Sequence, residues 1–150
     1  MEHWCQPTLP AGSPASDLKA GTSFPSGLSD VAVAADGNVI FITGANLYMI
    51  PSASFQSKQC AAVPLGALPN PATSGQWTGF GNGFLSNLFY ASSRTGNIAT
   101  IRYVPDATQP SRVTAQLAGV QVVSNCASGT DITAGPDGSV SVHALCRLSH

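Results

Sequence analysis

Charge is what this sequence has least of. Its 150 residues include 7 Asp or Glu and 6 Lys or Arg, a charged fraction of 9% and a net charge of −1, where an average soluble domain is roughly one quarter charged. There is no basic cluster and no acidic run, so the electrostatic footprint of a nucleic-acid binder or of a polybasic membrane surface is missing. Long apolar runs are missing as well. No window approaches the roughly 18 continuous apolar residues of a membrane span. The first residues, Met1-Glu2-His3-Trp4-Cys5, have neither the basic nor the apolar region of a signal peptide, so export would rely on a signal removed or lying upstream. No Asn-x-Ser/Thr acceptor is present, and neither is a Gly-x-Ser-x-Gly elbow, a Walker loop, a Gly-x-Gly-x-x-Gly turn or a His-Glu-x-x-His pair. The few acidic residues form no cluster that resembles a calcium cage.

The four cysteines, Cys5, Cys60, Cys126 and Cys146, are dispersed. Without a Cys-x-x-Cys or a histidine at ligand spacing they do not suggest zinc, and no metal ligand set is assigned. They are candidates for two disulfides in an oxidising compartment, with three possible connectivities; buried free thiols are the alternative.

What the sequence does have is turns and a repeat. Fifteen Gly and eleven Pro punctuate short apolar runs, which predicts many strands and few long helices. The stretch Asp30-Val31-Ala32-Val33-Ala34-Ala35-Asp36-Gly37-Asn38-Val39-Ile40-Phe41-Ile42-Thr43-Gly44 returns as Asp131-Ile132-Thr133-Ala134-Gly135-Pro136-Asp137-Gly138-Ser139-Val140-Ser141-Val142-His143. Each copy alternates larger and smaller side chains, passes through Asp-Gly and continues in a β-branched run, the pattern of two antiparallel strands on a tight turn. A middle copy is degenerate, with inner strand Trp77-Thr78-Gly79-Phe80, second strand Asn87 to Ser92 and Asn82-Gly83 in place of Asp-Gly. Gly79-Phe80-Gly81-Asn82-Gly83 reads as a turn.

Segments Ala15 to Gly21, Cys60 to Leu65 and Val113 to Gly119 precede the three copies as outer strands, and Asn46 to Ile50, Asn97 to Tyr103 and Leu145 to Leu148 follow as third strands. The expected organisation is a Pro-rich leader at 1–12 and a domain at 13–150 with repeats at about 13–51, 59–104 and 111–148. Three four-stranded units at a period near 50 predict an all-β, β-propeller-type fold. Closing a propeller takes about four blades or more. Three units therefore imply a piece of a longer propeller, two copies completing a six-bladed ring, or another β fold such as a sandwich; the first is preferred.

The phrases Leu28 to Val39, Asp131 to Gly138, and Leu88 to Ser92 with Gly96 to Tyr103, together with Leu9-Pro10-Ala11-Gly12 before the first outer strand, resemble blades of the glucose/sorbosone dehydrogenase group, which includes quinone-dependent pyranose dehydrogenases. Gly-Pro-Asp-Gly turns also occur in NHL-type and gluconolactonase-like propellers. The resemblance implies a six-bladed propeller binding pyrroloquinoline quinone and Ca²⁺ and oxidising sugars. The group's catalytic histidine stands in a glycine-flanked motif. His143, in Val142-His143-Ala144-Leu145, has no such flank, so no catalytic residue carries over.

The loops expected on one propeller face hold Asp30, Thr43, Gln76, Trp77, Arg94, Asn97, Asp131 and His143. Arg94, Trp77, Asn97 and His143 are the ligand-binding candidates: an arginine, an aromatic ring and an amide suit a sugar or a carboxylate, and an imidazole can act as a base. Against that, Trp77 is the type of residue that fills cores, Arg94 can be a solvated turn residue, and Asp30 and Asp131 recur as backbone-capping residues do. His3 and His150 are terminal. The expected role is an extracellular module binding carbohydrate or protein, or acting as a scaffold. The alternatives are a quinone-dependent sugar oxidoreductase whose site another segment or subunit completes, and a structural protein that assembles through open blade edges as a homo-oligomer.

Overall fold

In the computed structural model, the described residues are 7–13, 28–57, 59–69, 77–83, 87–105, 108, 113–122, 129–137 and 139–144. The chain is all-β. Strand β1 (Pro7–Thr8) is followed by β2 (Leu28–Val33), β3 (Val39–Thr43) and β4 (Asn46–Ile50). After Pro51 comes one turn-and-a-half of helix, α1 (Ser52–Ser57), then β5 (Cys60–Ala61) and β6 (Val63–Ala67). The second half holds β7 (Trp77–Asn82), β8 (Leu88–Ser93), β9 (Asn97–Pro105), β10 (Val113–Val122), β11 (Gly129–Ala134) and β12 (Val140–Ala144). The expected strands at 15–21 and 145–148 lie outside the described residues.

Two four-stranded antiparallel sheets result, in the orders β2-β3-β4-β6 and β7-β8-β9-β10, followed by the hairpin β11-β12. The segment that opens one sequence repeat thus supplies the fourth strand of the preceding sheet. The inner strands share a defect: each is bulged near its start, between Leu28 and Asp30 in β2, Trp77 and Gly79 in β7, and Gly129 and Asp131 in β11. A bulge is a conserved-geometry device that bends and twists a strand. Its recurrence makes Asp30, Gly79 and Asp131 structural equivalents, 49 and 52 residues apart.

The alternation of large and small side chains has a structural cause. Ala32, Ile40 and Met49 are paired across the first sheet and buried against Phe80, Phe89, Ala91, Ala99, Ile101 and Tyr103 of the second. Small residues on the inner strand let the next unit come close, while the larger ones at Phe80 and Ile132 lean back on the unit before. Phe89 lies between Phe80, stacked at 5.4 Å, and Tyr103, edge-on at 5.6 Å. Burying such an aromatic contributes several kcal/mol, since truncating one to Ala costs about 3–5 kcal/mol.

The reading of Gly79 to Gly83 as a turn is corrected. Gly79, Gly81 and Asn82 are ladder residues of β7, opposite Ser92, Tyr90 and Phe89. Gly83 donates its amide to Leu88 O at 2.7 Å, as Ala34 does to Asn38 O at 2.8 Å and Gly135 to Ser139 O at 2.8 Å. Gly83 therefore matches Ala34, and the connection replacing Asp-Gly falls beyond it. The glycine is there for closeness: a Cβ on Gly81 would sit 2.5 Å from Ile132 O.

The far face of the first sheet has its own small core of Phe41, Tyr48, Ile50, Cys60 and Ala62, packed by Leu9 and Val39. The leader reaches it because β1 pairs in parallel with β5, Pro7 opposite Cys60, and Ala62 N donates to Thr8 O at 2.8 Å. Cys60 is 2% exposed and disulfide-bonded; Cys5, Cys126 and Cys146 lie outside the described residues. No helix among the described residues is long and apolar enough to cross a membrane.

Candidate functional site

The inner strands lie side by side, with β2 and β7 running in the same direction. Asp30 meets Phe80, Val33 meets Asn82, and Ile132 meets Gly81. Their starts, with the turns after Thr43 and Ser93, form one end of the molecule, the end expected to carry the candidate residues.

Asp30, Thr43, Trp77 and Asn97 hold backbone or fill the core there. Asp30 Oδ1 accepts from Val31 N at 2.8 Å, and Oδ2 accepts from Phe80 N at 3.0 Å. Its carboxylate therefore serves as a cap on this sheet and the next. Thr43 is fully buried. Trp77 is also fully buried, and its Nε1 donates to Pro69 O at 3.2 Å. This corrects its assignment as a ligand platform: the ring belongs to the core between the sheets, as indoles with an internal acceptor commonly do. Asn97 closes a compact turn, its backbone N donating to Ser93 Oγ at 3.0 Å and its Nδ2 to Thr95 Oγ1 at 3.2 Å. Gly96, at φ 84°, supplies the left-handed residue of that turn. Arg94 is exposed at its tip. His143 stands opposite Asp131 in the β11–β12 ladder, and Gln76 lies outside the described residues.

At the opposite end of the strands lies a polar cluster that no local pattern announces. Asp36 and Asn38 flank Gly37, whose φ of 82° makes the turn. Asn38 N and Nδ2 donate to Asp36 Oδ1 and Oδ2, each at 3.1 Å, and Ser52 N donates to Asn38 Oδ1 at 2.8 Å. Tyr103, from the other sheet, donates its hydroxyl to Asp36 Oδ2 at 2.5 Å and accepts from Asn38 Nδ2 at 2.9 Å. Burial, and then the bond to Asp36, pushes the Tyr103 phenol well above its ordinary value, so the network holds a proton that water would take at high pH. The cluster ties turn to sheet. The Asp137 turn repeats the local part alone: Ser139 donates Oγ and N to Asp137 Oδ1 at 2.6 and 3.0 Å, and the Ser139 hydroxyl, followed by its amide, holds that carboxyl below the usual range.

A recess lies beside the leader. A groove of about 390 Å³ runs between the leader at Pro10 to Ser13 and β4–β6, lined by Asn46, Tyr48, Pro64 and backbone. It is mainly apolar and carries no charged side chain.

A calcium-held quinone needs several oxygen ligands converging on the ion. Among the described residues no three His, Cys, Asp or Glu side chains come together, and Asp30 is engaged by two amides. No described residue is therefore assigned to a calcium or quinone site, and no step is routed through that cofactor. Neither a family model nor a curated protein matches the chain.

Proposed function

We propose that this chain is a partial, propeller-type module that acts by binding or scaffolding, its repeated sheets forming a rigid support for exposed turns. The observation that carries the reading is the shared bulge at Asp30, Gly79 and Asp131, on inner strands lying side by side. Radial stacking of antiparallel sheets around their inner strands is the geometry of propeller blades. Asp30, Trp77 and Asn97 are occupied in holding backbone or core, which favours support over chemistry at that end. Contacts with a sugar or an extracellular protein then fall to exposed turns such as the one carrying Arg94, where a guanidinium can reach acidic or hydroxyl-rich partners.

The test pairs binding with turnover. The chain is titrated with neutral and acidic saccharides by calorimetry, and separately mixed with pyrroloquinoline quinone, Ca²⁺, an aldose and a dye acceptor. Saccharide binding that falls on Arg94→Ala, with no dye reduction, supports the module reading. Steady dye reduction dependent on quinone and sugar overturns it in favour of an oxidoreductase.

A further inference from the structure

The three units are not equally covered on the side that leans back on the unit before. Val31, Phe80 and Ile132 each directly follow the equivalent residue past the bulge. Phe80 is 2% exposed and Ile132 4%, whereas Val31 is 51% exposed and its neighbour Val33 56%. Phe80 is covered by the first unit and Ile132 by the second, while no described unit covers Val31. Of the described leader, Leu9 packs on the outer part of this face, beside Phe41, Tyr48 and Ile50.

The opposite side of the last unit has the complementary property. Thr133 and Ser141, paired across β11–β12, stand where Ala32 and Ile40 stand in the first unit. Ala32 and Ile40 are 5% and 2% exposed beneath the second sheet, but Thr133 and Ser141 are exposed. Both are small, like Ala32 and Gly81, so a neighbouring inner strand can approach them as β11 approaches β7. Asp131 also restores the acidic residue that the middle unit replaced with Gly79. In the first unit that residue caps the amide of the next unit's Phe80. The amide equivalent to Phe80 N in the first unit is Val31 N, which is served at an exposed position by its own Asp30.

We propose that the Val31–Val33 face of one chain docks against the Thr133–Ser141 face of a second copy. Two such contacts close a ring of six units. The inference rests on the propeller reading for closure, but the contact itself repeats two joints already inside the chain. Head-to-tail contacts either close or grow without limit. Two times three units meets the need of a propeller for four blades or more.

The 150-residue chain is measured by light scattering and sedimentation over a wide concentration range. A two-chain mass is expected. Val31→Glu and Thr133→Arg, both at exposed positions, are each expected to weaken association about a hundredfold or more by burying an unpaired charge, with the circular dichroism spectrum and unfolding midpoint kept. Because each ring has two contacts, an equimolar mixture of a Val31→Glu chain and a Thr133→Asp chain retains one intact joint and is expected to form heterodimers more readily than either forms homodimers. Absence of that rescue, or a dimer indifferent to these changes, overturns the proposal. So does a monomer at every concentration, which would assign the face to a repeat on the same polypeptide, or open-ended growth. These masses are independent of saccharide binding and dye reduction, so the proposal and the functional reading fail separately.

Discussion

The two joints within the chain do the same job with different means. Between the first and second sheets the joint is wide: an apolar core containing Phe80, Phe89 and Trp77 is bracketed by Asp30 on Phe80 N at one end and by the Asp36–Asn38–Tyr103 cluster at the other. Between the second sheet and the β11–β12 hairpin the joint is close: Gly81 brings β7 onto the backbone of β11. Side chains specify the first joint and their absence specifies the second. The same bulged strand can therefore be fastened either by polar ties or by contact distance, and the two should break in different ways.

The close joint should break most abruptly. In Gly81→Ala the new Cβ lies 2.5 Å from Ile132 O, and because the neighbour is backbone it cannot turn aside. Overpacking of this kind costs about 3 kcal/mol, the upper part of its usual range. Amide exchange is the appropriate measurement, since protection is read strand by strand. Protection in β11 and β12 is expected to fall while β3 and β4 keep theirs; an equal loss in both would mean that the two joints are not separable.

The wide joint should break gradually and with pH. Tyr103→Phe removes a hydroxyl bonded to both Asp36 and Asn38, a change expected to cost about 1–3 kcal/mol in urea unfolding because the buried Asn38 amide loses an acceptor, while the exposed Asp36 can turn to water. The phenol's pKa is raised by burial and by Asp36. A raised folded value means stability that is full below the unfolded tyrosine value of about 10 and is lost as pH rises from there toward the folded value. Wild-type stability should thus decline on alkaline titration above about pH 10, and Tyr103→Phe should flatten that decline. Parallel pH profiles for the two would show that the cluster does not control it.

Asp30→Ala tests the other bracket of that joint. It strips the acceptor from Val31 N and Phe80 N, of which the second lies in the joint and the first has water beside it. The expected loss is about 1–2 kcal/mol, with Asp30→Asn recovering part of it because an amide oxygen can still serve one donor. A loss equal for Ala and Asn would assign the effect to charge and not to capping.

How much of this was legible in the sequence depended on where the partner lies. The Asp-Gly copies announced the β2–β3 and β11–β12 pairings because a tight turn keeps both of its strands within a few residues. The alternation of Val31-Ala32-Val33-Ala34 carried the side preference of the inner strand, and the recurrence of Asp30 at Asp131 signalled capping. Gly79 to Gly83 misled because glycine serves two needs, positive φ and close approach, and only the second applies at Gly81. Trp77 was ambiguous because its acceptor, Pro69 O, is not signalled by any residue type. The Asp36–Tyr103 bond spans 67 residues, and nothing in the turn itself foretells it: the Asp137 turn has nearly the same sequence and bonds locally. The same limit holds for the Val31 face. Valine alternation reads as an ordinary strand until the equivalents Phe80 and Ile132 show what normally covers that position.

Ser92 separates the joints at the smallest scale. Its side chain is fully buried on β8, opposite Gly79 and Ile98, and its Oγ has no hydrogen-bond partner among the described residues. The equivalent residue in the first unit is Ile42, opposite Asp30 and fully buried in the apolar core. A buried hydroxyl without a partner carries a desolvation penalty, which the methyl of alanine does not. Ser92→Ala is therefore expected to raise stability by about 1 kcal/mol or less, the one change considered that should gain. Thermal unfolding with the calorimetric and van't Hoff enthalpies compared would detect it. A loss of that size would mean that the hydroxyl is satisfied in solution by a trapped water, which would make the close joint polar after all.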